Sequence, residues 1–209
     1  MQKFSLQCTL CPRLVQARKQ SRETYPDFHA APVPSFGDPN ARLLIVGLAP
    51  GFQGANRTGR PFTGDHAGLL LYETLFQWGW SNQPSALQRD DGLHLRDCRI
   101  TNAVRCWPPA NKPTSLEIRS CQPYLLQELK SEPPPKIVLA LGKIAHDSIL
   151  DALGYGKKDY FFGHGVHYSL PNGIVLISSY HCSRYNTQTK RLTAESFQGI
   201  FRIISQYLP

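Results

Sequence analysis

The sequence predicts an α/β fold, a parallel sheet with helices packed on both faces. Two observations carry that expectation. Four short segments, "RLLIVG" (42–47), "CRITNAV" (98–104), "KIVLALG" (136–142) and "GIVLISS" (173–179), are apolar at nearly every position, as expected of strands covered on both sides, whereas half-exposed strands alternate. Helical patterns separate them in turn, and that alternation favours parallel strands joined by crossovers.

The helices follow from their start signals and spacing. "DHAGLLLYETLFQWG" (65–79) opens on Asp65, a candidate N-cap, and "TSLEIRSCQPYLLQELK" (114–130) opens with Thr114 and Glu117 at capping-box spacing. "KIAHDSILDAL" (143–153) and "TAESFQGIFRIISQYL" (193–208) complete the set. Segments 81–97, 131–136 and 154–168 read as loops, the second a rigid turn made by its proline run. At 209 residues the chain suits a single domain, 1–209.

Twenty-three Lys plus Arg against fifteen Asp plus Glu give a net charge of +8 with His neutral. Such a surface attracts polyanions, and nucleic acid is the expected partner; a generically basic surface is the alternative. The N-terminal "MQKFSLQC" contains no apolar stretch of leader length, and no apolar run approaches the roughly 18 residues of a membrane helix. The expectation is a cytoplasmic monomer without a membrane partner.

In a reducing compartment, six cysteines point away from a disulfide framework and toward metal ligation or buried thiols. Cys8 and Cys11 form a C-x-x-C pair, while Cys106 and Cys121 bracket fourteen residues. Four thiolates suit zinc or an iron–sulfur cluster. Cys98, at a strand start, reads as core, and Cys182 as a small filler.

In open α/β sheets ligands collect beyond the carboxyl ends of the strands, where the loops after 47, 104 and 179 converge. The first, "GLAPGFQGANRTGRPFTGD" (47–65), has five glycines but neither the Lys-Ser/Thr ending of a P-loop nor dinucleotide spacing. Together with "ITNAVRCWPP", "ANKPTSLEIRSC" and the late "SYHCSRYNTQTKRLT", it makes the chain resemble the family 5 (type b) uracil-DNA glycosylases, from Cys8 to about Thr193.

That resemblance implies a three-layer α/β/α fold with a central parallel four-stranded sheet, and a 4Fe-4S cluster on Cys8, Cys11, Cys106 and Cys121. It also implies DNA repair: uracil, and other deaminated bases such as hypoxanthine, flipped out and hydrolysed from DNA without strand cleavage. Leu48 stands where type-4 relatives carry an acid, and Cys182 and Gly51 stand where some relatives have other residues.

In this setting Gly47 and Gly51 would let backbone approach a base, and Phe62 would stack on it, its alternative being a core phenylalanine. Asn102 can donate to one base carbonyl and accept from a ring N–H, or serve as a turn former. The resemblance places His181 against the base O2, with Asn186 nearby. Asp65 is the candidate water-orienting acid, with helix capping as its competing role. DNA contacts are expected from Arg57, Arg60, Arg105, Lys112, Arg184, Lys190 and Arg191, with Arg184 and Tyr185 wedging into the space the base leaves. A second reading, an iron–sulfur redox carrier or non-catalytic nucleic-acid-binding module, explains the charge and the cysteines but not the co-occurrence of Asn102 with the His181 loop.

Overall fold

The computed structural model describes residues 4–208; Met1 to Lys3, part of the segment read as lacking a leader, and Pro209 lie outside the described residues. The four anticipated strands are β2 (Leu43–Gly47), β3 (Cys98–Asn102), β4 (Ile137–Leu141) and β6 (Val175–Ser179). They lie side by side and parallel in the order β3-β2-β4-β6. Two antiparallel edge strands, β1 (Phe36–Gly37) and β5 (His167–Ser169), extend this centre to six strands. At two and three residues they are too short to leave a periodic signal.

Successive side chains of the central strands point to opposite faces. Leu43, Ile45, Leu139 and Ile177 pack with Leu71, Tyr72 and Leu75 of α3 (His66–Gln77) and with Phe197, Phe201 and Ile204 of α7 (Ala194–Tyr207). Leu44, Val46, Val138 and Leu176 pack on the other face with Leu125 and Leu129 of α4 (Ser115–Leu129) and Ile149 and Leu150 of α5 (Lys143–Leu153). This is the three-layer α/β/α arrangement, and it explains why most of the strand residues are apolar. The capping box at Thr114 and Glu117 forms as its spacing predicts, and a second one joins Thr193 and Ser196 at the start of α7. Among the described residues no helix is long and apolar enough to cross a membrane.

One helix gives no periodic signal. α1 (Pro12–Thr24) is mostly polar and buries only Leu14, Ala17, Arg18 and Ser21; its one start signal is Pro12 in the first turn. It is fixed by Leu14, which packs against Val104, Cys106, Cys121 and Tyr124, and by the Arg13–Glu117 ion pair at 2.7 Å. α1 thereby carries the C-x-x-C pair to the side of the sheet where Cys106 and Cys121 lie.

Two of the expected DNA-contacting arginines are structural. Arg60 is 3 % exposed; its guanidinium meets Asp91 at 2.7 Å, the Arg89 carbonyl at 3.0 Å and the Thr63 hydroxyl at 2.8 Å. Its partner carboxylate is held at a pKa of about 2 by Arg60 and by backbone N–H groups of Leu87, Gln88 and Leu93, despite the opposing effect of burial. Arg105 is equally buried and pairs with Glu128 at 3.0 Å. Neither can reach a phosphate without breaking a desolvated pair.

Candidate active site

β2 and β3 are paired through their last residues, Gly47 opposite Asn102, so both chains leave the sheet from one point. Past Gly47 the chain forms α2 (Ala55–Thr58) and turns back at Phe62, whose φ is +52°. The Phe62 ring then lies on Gly47: a Cβ there would stand 2.6 Å from Phe62 Cζ and would collide with Asn102 Oδ1. Gly47, expected to touch a base, is instead the bed on which Phe62 and Asn102 rest, and it does not line the cavity above them.

That cavity, about 720 Å³, is lined by residues from all three anticipated loops, including Gly51, Phe62, Asp65, Asn102, His181 and Arg184. The Asn102 side chain is buried, and its Oδ1 has no hydrogen-bond partner. An unpaired buried acceptor costs about 1–3 kcal/mol. The His181 ring stands 5.9 Å from the Phe62 ring at 31° between planes. Burial holds its pKa down at about 4, so the imidazole is neutral at pH 7. Asn186 does not line the cavity; its amide donates to the His181 carbonyl at 2.8 Å and fixes that loop from behind.

Asp65 caps α3, Oδ1 accepting from the Gly68 N–H at 3.0 Å. Its other oxygen faces the opening loop so closely that a Cβ at Gly54 would collide with it, and one at Gly51 would lie 3.2 Å away. Burial raises the carboxyl above its usual range, outweighing the N–H groups of Gly68 and Ala67 that pull it down. His66, which no sequence signal singles out, also lines the cavity and shares a 2.9 Å hydrogen bond with Thr187 of α6 (Arg184–Gln188), tying the two sides of the mouth together.

Arg184 stands on the rim, while Tyr185 at 70 % exposure and exposed Lys190 lie beyond it. Arg57 donates to the Gln53 carbonyl at 2.8 Å and borders an adjoining groove rather than the cavity.

Behind the cavity, Cys8, Cys11, Cys106 and Cys121 line one enclosed, apolar hollow together with Arg18 and Arg105. Burial pushes three of these thiols up, Cys11, Cys106 to about 12 and Cys121 to about 11. The Arg105 backbone N–H donates to Cys121 Sγ at 3.3 Å, and the buried Nε groups of Arg18 and Arg105 have no partner. Among the described residues no cluster of His, Cys, Asp or Glu is gathered so as to hold a metal ion; the sulfurs surround a hollow instead. Ala49 packs with the thiol-bearing cluster and also lines the 720 Å³ cavity, so the two sites share a wall.

Against known proteins, the uracil DNA glycosylase superfamily profile matches residues 34–204. The chain belongs to that superfamily. Within it, the chain is 50 % identical over 196 residues to the type-5 uracil-DNA glycosylase of Thermus thermophilus, covering 91 % of this chain and 89 % of the relative. It is 40 % identical to the type-5 uracil-DNA glycosylase of Pyrobaculum aerophilum, covering 93 % and 86 %. Identity to the type-4 uracil-DNA glycosylase of Sulfurisphaera tokodaii is 31 %, covering 83 % and 74 %. This superfamily member therefore sides with the type-5 branch, in keeping with Leu48 in its first loop.

Proposed function

We propose that this protein removes uracil from DNA by hydrolysing the N-glycosidic bond and leaves an abasic site. The names of its type-5 relatives support the reading. The observation that carries it is Asn102, whose side chain is buried with Oδ1 unpartnered and which lines one cavity with the Phe62 ring and a neutral His181.

A base inside a duplex is out of reach, so the nucleotide is flipped into the cavity. There Phe62 stacks on the ring. Asn102 Oδ1 accepts from the uracil N3–H while its amide donates to O4. Cytosine offers an acceptor and a donor at the same two places, and each mismatch costs about 1–3 kcal/mol. The C1′–N1 bond breaks with its electron pair leaving on the base, and a His181 N–H meets the charge that gathers on O2. A water held at the free Asp65 oxygen attacks C1′ and gives its proton to that carboxylate, which burial keeps basic. The departing uracil anion takes a proton from solvent.

Hypoxanthine shows the same N–H and carbonyl pair along one edge, so the amide reads it as well, and Gly51 leaves the cavity wall open to its larger ring. Among the described residues no lysine lines the cavity, which supports a mechanism with no imine to the sugar and no strand cleavage.

The four cysteines fit a 4Fe-4S cluster: four thiols around one hollow, with two unpartnered arginine N–H groups suited to an anionic occupant. Bound there, the group supplies structural bracing to the wall it shares with the base cavity. Arg184, Tyr185 and Lys190 make the DNA contacts around the mouth, and Arg57 lies in the groove beside it.

The test is a panel of oligonucleotides that differ only in one base, uracil, hypoxanthine or cytosine, scored for abasic sites with and without borohydride. Release of uracil without a trapped adduct is the expected result. No release from any lesion overturns the proposal in favour of a binding module, and a trapped adduct overturns the monofunctional mechanism. Iron and sulfide analysis tests the cluster independently.

A further inference from the structure

The wall of the cavity continues outward as a file of aromatic rings that base excision leaves unused. Phe52 lines the cavity. Its ring contacts Trp107 at 4.6 Å on one side and both Phe28 and Tyr25 at 5.5 Å on the other. Tyr25 and Phe28 are themselves stacked, 4.7 Å apart at 21°. Such rings usually lie inside a core. Here Tyr25 is 41 % exposed and the other three are only partly buried, so the cluster presents apolar π-surface to solvent next to the mouth of a binding cavity.

We propose that this file is a stacking platform for unpaired DNA bases next to the flipped nucleotide, so that the enzyme grips single-stranded DNA at a second place. The inference rests on the base-excision reading for its occupant. Three features select that occupant. The platform is continuous with the lesion cavity through Phe52, so a strand whose base enters the cavity must run out over one of its rims. Partly exposed aromatic rings gathered beside a cavity mouth suit unpaired bases of any sequence, each worth about 1–3 kcal/mol by stacking. Phe28 also borders a groove of about 360 Å³ that holds Arg57, Thr58, Gln88 and Arg89, groups able to meet a phosphate, together with the carboxylates of Asp27 and Asp90. Those two acids offset the two arginines, so stacking rather than phosphate attraction supplies the grip. Affinity from this surface is therefore much less sensitive to salt than affinity from Arg184.

The chain shapes this groove deliberately. The buried Arg60–Asp91 pair and the Asp91 bonds to the Leu87, Gln88 and Leu93 N–H groups hold the segment carrying Gln88 and Arg89 in one conformation. Arg60, removed from the list of phosphate contacts by its burial, serves the groove indirectly.

The test uses the full-length protein and a 15-nucleotide thymidine oligonucleotide with no lesion, so that its outcome does not depend on base release. The expected result is saturable quenching of tryptophan fluorescence, lost in Trp107→Phe, and a Kd weakened about tenfold by Tyr25→Ala and restored by Tyr25→Trp. Thermal melts of each variant separate loss of the surface from loss of the fold. Wild-type binding that is absent, or unchanged in a folded Tyr25→Ala, overturns the platform while leaving uracil excision standing. Excision lost with oligonucleotide binding intact overturns the catalytic reading alone. A Kd for this oligonucleotide that Tyr25→Ala weakens but Tyr25→Trp does not restore overturns stacking as the cause.

Discussion

Asn102→Ala should move stability and activity in opposite directions. In the free protein Asn102 Oδ1 is buried without a partner, a condition that costs about 1–3 kcal/mol. Truncation removes that orphan, and the space released joins an open cavity of about 720 Å³ rather than creating a sealed void. Folding stability should therefore hold or rise by up to about 1–3 kcal/mol, a midpoint shift of roughly 2–4 °C per kcal/mol for a chain of this size. Catalysis responds the other way. Two polar groups on the uracil edge lose their partners at about 1–3 kcal/mol each, which lowers kcat/KM by roughly 30-fold to 10⁴-fold. Calorimetry and single-turnover cleavage of a uracil oligonucleotide measure both halves. A variant that melts several degrees early and loses activity in proportion would show that Asn102 is a packing residue, and the base-reading argument would fail.

Three further outcomes follow from the same geometry. His181 has a folded pKa of about 4 against an ordinary value of 6.5, lowered by burial, so the unfolded chain binds the extra proton. Its contribution is complete above pH 6.5 and falls away by roughly 3 kcal/mol on going down to pH 4; urea melts at pH 4.5 and 7.5 should show a smaller difference in His181→Gln than in the parent, and equal differences would refute the assignment. Asp65→Asn keeps a good helix cap but no base, so base release should slow by about 10²-fold or more with little change in melting temperature, whereas unchanged single-turnover cleavage would remove Asp65 from the mechanism. Arg184→Ala should reduce the salt dependence of DNA binding by about one ion, while Arg60→Ala should instead destabilise the fold by about 3–5 kcal/mol through the uncompensated Asp91; salt titrations and urea melts of the two variants compare them directly.

The sequence is informative where local pattern and tertiary environment agree. Four parallel strands apolar at nearly every position belong at the centre of a covered sheet, and the loops that leave their carboxyl ends meet on one side of it. Asn102 and His181 are therefore locatable from the sequence, and both line the cavity. The arginines are not: Arg60 and Arg184 both sit in polar, motif-bearing segments, and what separates them is Asp91, a residue distant in sequence that pairs with only the first. α1 was hidden for a related reason. Its polar residues line the surface, and of the two that are buried, Arg18 lines the thiol hollow and Ser21 accepts from the Asn56 amide, so neither marks a hydrophobic face. Gly47 and Asn186 were legible as important but not as to how, because each acts on a neighbour, Gly47 by leaving room for Phe62 and Asn186 by holding the His181 carbonyl.

The choice between capping and chemistry at Asp65 dissolves on the same grounds. A carboxylate at a helix N-terminus ordinarily titrates low, because unpaired N–H groups and the helix dipole favour its charge. Here the opening loop packs over it at Gly54 so tightly that no side chain fits between, and the loss of solvent outweighs the helix, leaving the group more basic than usual. The cap fixes where one oxygen points, and the loop sets how strongly the other holds a proton. With Leu48 in the first loop, the water-orienting carboxylate of the proposed mechanism can come from the helix start without a second acidic residue, because capping consumes only one of its two oxygens.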